Sequence, residues 1–352
     1  MLFYLSKWYT KKELGLRMSI FYSGSLLSGA FGNLIAAGIL NGMDGKRGIT
    51  AWQWLYIIEG TITCAIGLVI CFVLPDFPES WKLLSPEMRS VAARRLAVDS
   101  AEADIDDSGG MGQVQGLKQA LTDIKTYALA IAYHSITGAS GFQNYFPTLT
   151  ETLGYSKMIS LVLVAPPYIF MVFYSMAHSH LSDRFNNRFW FFIYPIPITI
   201  VGYILYMCTS SFGANYAAMF LMIFVFSQFG TFFSWIANAI PRPPAKRAAA
   251  YGFINAVGNA ASIWTPYTYR DPDAPRYAPA MGVCIALQVL GFLMAVFLDQ
   301  YTRYQNRQLA RLEDMNVELT GKERQRLERT AQMNNVGLEQ ARQLQRGFRF
   351  ML

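Results

Sequence analysis

The sequence predicts an all-α integral membrane fold with eight spanning helices. Three observations lead there. Hydrophobic residues make up 53% of the 352 residues and charged residues only 15%, against about 25% charged in a soluble domain. The apolar residues collect into windows of the roughly 20 residues that cross a bilayer. The basic residues collect between alternate windows, as the positive-inside rule requires.

The windows follow in order. Residues 18–40 form the first, and residues 52–74 the second, with Glu59 inside it. After a long polar loop come residues 126–148 and 158–181. The stretch 189–241 carries no Asp, Glu, Lys or Arg. It is too long for one span and is divided at "SSFGANY", whose Gly213 and Asn215 are turn formers. That gives spans 189–210 and 215–240. Residues 248–268 and 278–298 complete the eight.

Organisation follows from the polar breaks. Residues 1–75 hold the end of one helix and two spans, and residues 76–125 are a cytoplasmic central loop. Residues 126–300 hold six spans, and residues 301–352 are a cytoplasmic tail. In the loop, "SPEMRSVAARRLAVDS" has Ser85 to cap a helix and Pro86 at its first position. It reads as a short surface helix with Met88, Val91 and Ala92 on one side. "DIDDSGGMGQ" reads as a flexible link. The tail places Leu309, Leu312, Met315 and Leu319 at heptad-like spacing, as a surface helix or a solvated tail. Six spans follow the loop and only two precede it, so four further helices are expected upstream of Met1.

Charge placement sets the orientation. With both termini cytoplasmic, the inside segments hold 25 of the 30 Lys and Arg. Lys46, Arg47, Lys157, Arg270 and Arg276 fall outside. The net charge of +7 therefore points to a lipid bilayer and not to nucleic acid. Cys64, Cys71, Cys208 and Cys284 all lie within spans and read as buried apolar thiols. No metal or cofactor is expected.

"SKWYTKKELGLR", then "WQWLYIIEG" at Trp52–Gly60 and "LPDFP" at Leu74–Pro78, resemble the fifth and sixth helices of the major facilitator superfamily. More narrowly they resemble its anion:cation symporter family, the fungal allantoate, nicotinate and pantothenate permeases. "WIANAIPRPPAKRAAAYGFINAVGN" is similar to the tenth-to-eleventh helix junction, although Pro241, Pro243 and Pro244 stand where the family usually has a glycine turn. "LQRGFRFML" looks like the family's fungal tails. The resemblance implies a major facilitator fold lacking its first four helices. It implies a proton-coupled secondary transporter of a small organic anion, working by alternating access as a monomer in the plasma membrane.

Site candidates follow. "SDRFNNR" packs Asp183, Arg184 and Arg188 between two uncharged spans, and it resembles the second copy of the family's D-R-x-x-x-R loop. An Asp at a helix end and an Arg beyond it can pair across helices and hold one access state closed. Ordinary charge anchoring is the other reading. Lys246 and Arg247, and Glu59 as a structural or proton-carrying group, complete the gating and coupling candidates. For the substrate path, polar residues in spans are the notable ones. Gln143, Asn144 and Tyr145 sit beside His134 in a span that Gly138, Gly141 and Pro147 loosen. Trp235 and Asn238 share a helix face, and Asn255 and Asn259 lie one turn apart, with Gly258 permitting close approach. Each of these amides serves equally for bonding between helices. Phe224, Phe226, Phe229, Phe232 and Phe233 read as packing or lipid-facing. No Lys or Arg lies deep in the spans, so the main cationic contact for an anion is expected in the upstream helices.

The same residues bear on two other functions. "GASG" at Gly138–Gly141 matches the serine motif of intramembrane proteases, but no histidine shares the depth of Ser140. A truncated, non-transporting regulatory or scaffold membrane protein is the alternative to transport.

Overall fold

The computed structural model describes residues 2–78, 81, 83–100, 113–151, 157–240, 244–314 and 328. The described residues form fifteen α-helices joined by short 3-10 turns, with no strand among them. Helices suit lipid because each satisfies its own backbone polar groups.

A short helix, α1 (Leu2–Ser6), precedes α2 (Lys11–Gly42) and α3 (Ala51–Val73). Helix α2 starts well before its apolar window because Lys11, Lys12, Glu13 and Arg17 continue the helix past the apolar part. At the start of α3, the Thr50 N–H donates to Gln53 Oε1 at 3.1 Å, half of a capping box. The surface helix of the loop is present as α4 (Pro86–Ser100), with the Met88 N–H donating to Ser85 Oγ at 3.3 Å. Arg95 of α4 pairs with Glu13 of α2. The sequence reading had no place for α5 (Gln113–Leu121). It seats on a neighbour through Gly116, where a Cβ would come within 2.8 Å of the Ala245 backbone.

The remaining six windows give α6 (Ile124–Ala139), α7 (Phe146–Glu151), α8 (Lys157–Phe185), α9 (Phe189–Ile193), α10 (Pro195–Cys208), α11 (Phe212–Met222), α12 (Ser227–Ala239), α13 (Pro244–Asn259), α14 (Ala261–Trp264) and α15 (Ala278–Asp314). All eight windows are helical. Among the described residues, six helices are long and apolar enough to cross a membrane. The windows 126–148 and 248–268 are the two outside that set, and each changes helix type along its length. In the first, a 3-10 turn over Ser140–Tyr145 joins α6 to α7, in the segment expected to bend. In the second, α13 gives way to α14 and then to a 3-10 turn, Thr265–Thr268. Both breaks sit against each other: a Cβ on Gly141 would lie 3.1 Å from Thr265.

Every residue of α12 is buried, and α2 and α8 pack against it. Phe226, Phe229, Phe232 and Phe233 pack in this core and do not face outward. Helix α3 is the opposite case, with Ala51 as its only buried residue. Cys64 and Cys71 on α3, and Cys208 at the end of α10, are exposed, and only Cys284 is a buried thiol. The expectation of four buried thiols holds for Cys284 alone, because Cys64 and Cys71 lie on a helix with one buried residue and Cys208 is the last residue of α10. Leu309 and Leu312 lie within α15, whereas Met315 and Leu319 fall outside the described residues, as does the "DIDDSGGMGQ" link up to Gly112.

Candidate functional site

Two features meet along the seam where α2 crosses α8 and α12. One is a charged contact at one end of the helices. The other is a cavity deeper along α2.

The charged contact is built on the last turn of α8. Asp183 is buried, and its carboxylate accepts from the backbone N–H of Leu16 at 2.7 Å and of Gly15 at 3.1 Å. Arg188, fully buried, closes the other side with Nη2 2.5 Å from Asp183 Oδ1. Its Nη1 donates to Ser182 Oγ at 2.9 Å, and Ser182 donates to the Asn187 carbonyl at 3.0 Å. Asn186 reverses the chain between the pair with a φ of 49°, a region that Asn tolerates. The carboxylate therefore clamps the early turns of α2, where the helix dipole favours negative charge. Burial pulls Arg188 below the ordinary arginine value, and the Asp183 carboxylate opposes that pull. A charge this deeply buried needs its partner.

The loop triplet thus divides. Asp183 and Arg188 form the pair, whereas Arg184 is exposed. Gly15 escaped the sequence reading. A Cβ there would lie 2.3 Å from Asp183 Oδ1 and 2.7 Å from Arg188 Nη1, so only glycine lets α2 come this close. Further along the seam, a Cβ on Gly230 of α12 would meet both Ser179 and Ser19 within 3.0 Å.

The other basic candidates do not span this seam. Lys246 donates to Asp123 Oδ2 at 2.6 Å, and Asp123 caps α6 by accepting from the Lys125 N–H. That links α13 to α6 within the second half. Lys125 reaches the Ala239 carbonyl at 2.8 Å, closing the end of α12. Burial pushes its ammonium down from the ordinary 10.5 to about 8. Arg247 is buried, with its guanidinium 5.5 Å from the Phe3 ring centroid. Glu59 is exposed on α3 and faces Gly32, whose Cβ position lies 4.0 Å from its carboxylate.

The cavity has a volume of about 770 Å³, within the usual size for small-molecule sites. Phe21, Tyr22, Gly24 and Ser25 of α2 form one wall, with Phe3 of α1. Tyr133 of α6 and Phe233 of α12 form the back. Ala248, Tyr251, Gly252, Asn255 and Asn259 of α13 form the facing wall. Positions 247, 251, 255 and 259 recur every four residues and so share one helix face. Asn259 Nδ2 donates to the Asn255 carbonyl at 2.8 Å and to its Oδ1 at 3.0 Å. A Cβ on Gly258 would lie 1.8 Å from Tyr133, so the expected close approach at Gly258 is real and sets α13 against α6.

Of the expected path residues, Asn255 and Asn259 are in the cavity wall. Trp235 and Asn238 are not. They are buried, and Trp235 packs on Phe192 with centroids 5.7 Å apart. Trp235 lies about 200° around α12 from Phe233 at 3.6 residues per turn, and so faces the core. Gln143, Asn144 and Tyr145 also miss the cavity. Tyr145 is roughly 18 Å beyond Tyr133 at 1.5 Å per residue. It stacks on Tyr269 at 4.4 Å and donates to the Pro266 carbonyl at 3.1 Å. Phe233, read from the sequence as packing or lipid-facing, is in the wall as well, and among the wall residues that sequence reasoning passed over are Tyr22, Tyr133 and Tyr251. The four-residue recurrence through Arg247, Tyr251, Asn255 and Asn259 was the available signal for the last of them.

Two of the three histidines, His134 and His178, are engaged elsewhere. Trp264 Nε1, which can only donate, bonds to His134 Nε2 at 3.2 Å. His134 Nδ1 meets the Val257 carbonyl at 2.9 Å, which can only accept. These partners require a neutral ring with its proton on Nδ1. His178 meets the Phe191 carbonyl at 2.8 Å. Ser140 donates to the Thr137 carbonyl at 2.8 Å, and no serine–histidine contact of the kind a protease needs is made there among the described residues. The described residues contain no group of three metal-ligating side chains.

A family profile described as Major Facilitator Superfamily matches residues 1–266. The MFS-type transporter cnsO of Penicillium expansum is 31% identical over 332 residues, covering 90% of this chain and 63% of its own length. The uncharacterized transporter C1002.16c of Schizosaccharomyces pombe is 33% identical over 280 residues, covering 78% of this chain and 54% of its own. The chain therefore spans between half and two thirds of the length of these curated relatives. Among solved structures, the proton:xylose symporter XylE bound to 6-bromo-6-deoxy-D-glucose superposes with a TM-score of 0.64 at 14% identity. That match covers 85% of this chain and 66% of XylE, and is a likeness of fold.

Proposed function

The chain belongs to the major facilitator superfamily, and from that premise we propose that it is a secondary transporter of a small organic anion. In this reading it is not an enzyme. It sits as a monomer in the plasma membrane with both termini cytoplasmic, and it carries its substrate inward with protons by alternating access. Within the superfamily the reading places it with the anion:cation symporters, whose motifs its fifth and sixth helices resemble.

The observation that carries this is the clamp of Asp183 and Arg188 on Gly15 and Leu16, set along the same seam as the cavity. Charge distribution puts that clamp on the cytoplasmic side. It joins helices from the two halves of the fold, so it must open when they rock apart. The cavity beside it supplies amides and rings for a small ligand. Arg247 supports an anionic one: it lies one turn from Tyr251 on the wall helix and against Phe3 of the wall. The cavity wall itself carries no Lys or Arg among the described residues. Arg247 at its edge is therefore the basic group to test first.

Asp183→Asn keeps the shape of the carboxylate but removes its charge. Uptake of nicotinate, allantoate and pantothenate into proteoliposomes is then measured for both proteins. The expected result is abolished uptake or a raised leak, with membrane insertion unchanged. Transport at the unmodified rate would remove the gating role. Failure of the unmodified chain to move any of the three acids would count against the anion.

A further inference from the structure

Helix α4 lines neither the clamp nor the cavity, yet it is held at the level where the spans end. Its Arg95 pairs with Glu13, the first residue of the apolar span of α2. The segment leading into α4 comes off the span of α3, which ends at Val73. Aromatic side chains pin that segment. Tyr4 donates to the Pro75 carbonyl at 2.9 Å, Phe77 packs on Tyr4 with centroids 5.8 Å apart, and Trp81 meets Trp8 edge-on at 5.7 Å. Tryptophan and tyrosine collect at the headgroup level of a bilayer. Helix α4 starts at Pro86, just past Trp81.

The face that α4 turns towards the span of α2 is apolar and open. At about 3.6 residues per turn, Met88, Val91, Ala92 and Arg95 fall within about 100° of arc. Arg95 fixes the direction of that face, because it reaches Glu13. Val91 is nevertheless 65% exposed and Met88 53%, and Leu83, just before the helix, is 82% exposed. The opposite side carries Ser90, whose hydroxyl donates to the Glu87 carbonyl at 2.7 Å. Arg94 flanks the apolar stripe and is exposed, and the Arg95 side chain is 54% exposed. Open apolar side chains beside open guanidinium groups complement a bilayer surface, with acyl chains for the one and negative headgroups for the other.

We propose that α4 is an interfacial helix that seats on anionic lipid. Met88 and Val91 enter the acyl boundary, and Arg94 lies against the negative headgroups. The seat rests on the chain's crossing a membrane and not on what it carries.

A nitroxide is attached at Val91→Cys in the full 352-residue chain, with Cys64, Cys71 and Cys208 changed to alanine and the buried Cys284 left in place. A second label, at Ser90→Cys, samples the opposite side. Both positions are exposed, so the labels leave the core untouched. Collisions with oxygen, which dissolves in lipid, are compared with collisions with a water-soluble nickel chelate. Nanodiscs of phosphatidylcholine alone are compared with nanodiscs that also contain phosphatidylserine. The label at 91 is expected to favour oxygen, and the label at 90 to favour nickel. Phosphatidylserine should raise the ratio of seated to free helix at 91. Arg94→Gln should lower that ratio about fivefold in the same discs, the effect of one basic residue at an anionic surface, and Arg94→Lys should restore it. A label at 91 that favours nickel, or that behaves as the label at 90 does, would overturn the seat. Shielding of 91 from both probes would overturn it in favour of a protein segment on this face. A seat indifferent to phosphatidylserine and to Arg94→Gln would overturn the assignment to anionic lipid. No uptake is read here, so failure of the seat is distinguishable from failure of the transporter reading.

Discussion

Gly15→Ala is the sharpest test of the clamp, because one methyl group is aimed at its centre. The new Cβ would lie 2.3 Å from Asp183 Oδ1 and 2.9 Å from its Cγ. Ordinary contact begins near 3.4 Å, so the carboxylate must retreat by about 1 Å. It cannot retreat and still accept from Gly15 and Leu16, whose N–H groups are 3.1 and 2.7 Å away. Hydrogen bonds to a charged group contribute about 1.5–3 kcal/mol each. Losing both gives a gross cost of roughly 3–6 kcal/mol, and relaxation around the site leaves about 2–4 kcal/mol. At 1.4 kcal/mol per factor of ten, the clamped state loses a population ratio of about thirtyfold to a thousandfold. Hydrogen–deuterium exchange of the purified chain reads this directly. The amides of Gly15 and Leu16 should exchange faster in Gly15→Ala, with the core helix α12 unaffected. A double-mutant cycle with Asp183→Asn should be strongly non-additive, since both changes break one contact. Unchanged exchange at residues 15 and 16 in a folded variant, or simple additivity, would refute the clamp.

Three further outcomes are expected. Arg188→Leu leaves the Asp183 carboxylate buried without its guanidinium, and should lower stability by about 3–5 kcal/mol; adding Asp183→Asn should recover part of that loss in thermal unfolding. His134→Gln can still donate to Val257 and accept from Trp264, whereas His134→Leu can do neither. The leucine variant should therefore unfold at lower temperature, by about 1–2 kcal/mol at the scale of hydrogen bonds between membrane helices, and the glutamine variant should stay near the parent. Burial holds the folded pKa of Lys125 at about 8, below its ordinary 10.5. Between those values the unfolded chain binds more protons, so stability should rise from pH 8 towards pH 10. Lys125→Met should flatten that slope, and a persisting slope would assign it to another group.

The clamp and the cavity differ in how far they could be read before the structure. Asp183 and Arg188 were legible because charge is so costly in lipid that three charges between two uncharged spans need a reason. The asparagines on α13 were legible because a four-residue recurrence fixes one face. Trp235 and Asn238 share a face too, yet it is the face turned to the core. Gln143, Asn144 and Tyr145 have suitable chemistry but lie too far along the helix. Gly15 carries no local signal at all, because its reason is a carboxylate 168 residues away.

What the sequence determined by itself was the set of apolar helices and their order. Those are local properties: about 20 apolar residues must satisfy their own backbone in lipid, whatever their neighbours. Tertiary structure alone decided which face of each helix meets the cavity and at what depth, where α5 seats, and that α3 stands outside the core. Those depend on the rotation and contact of helices far apart in the chain. Glycines at 15, 116 and 258 set several of these contacts by their lack of a side chain.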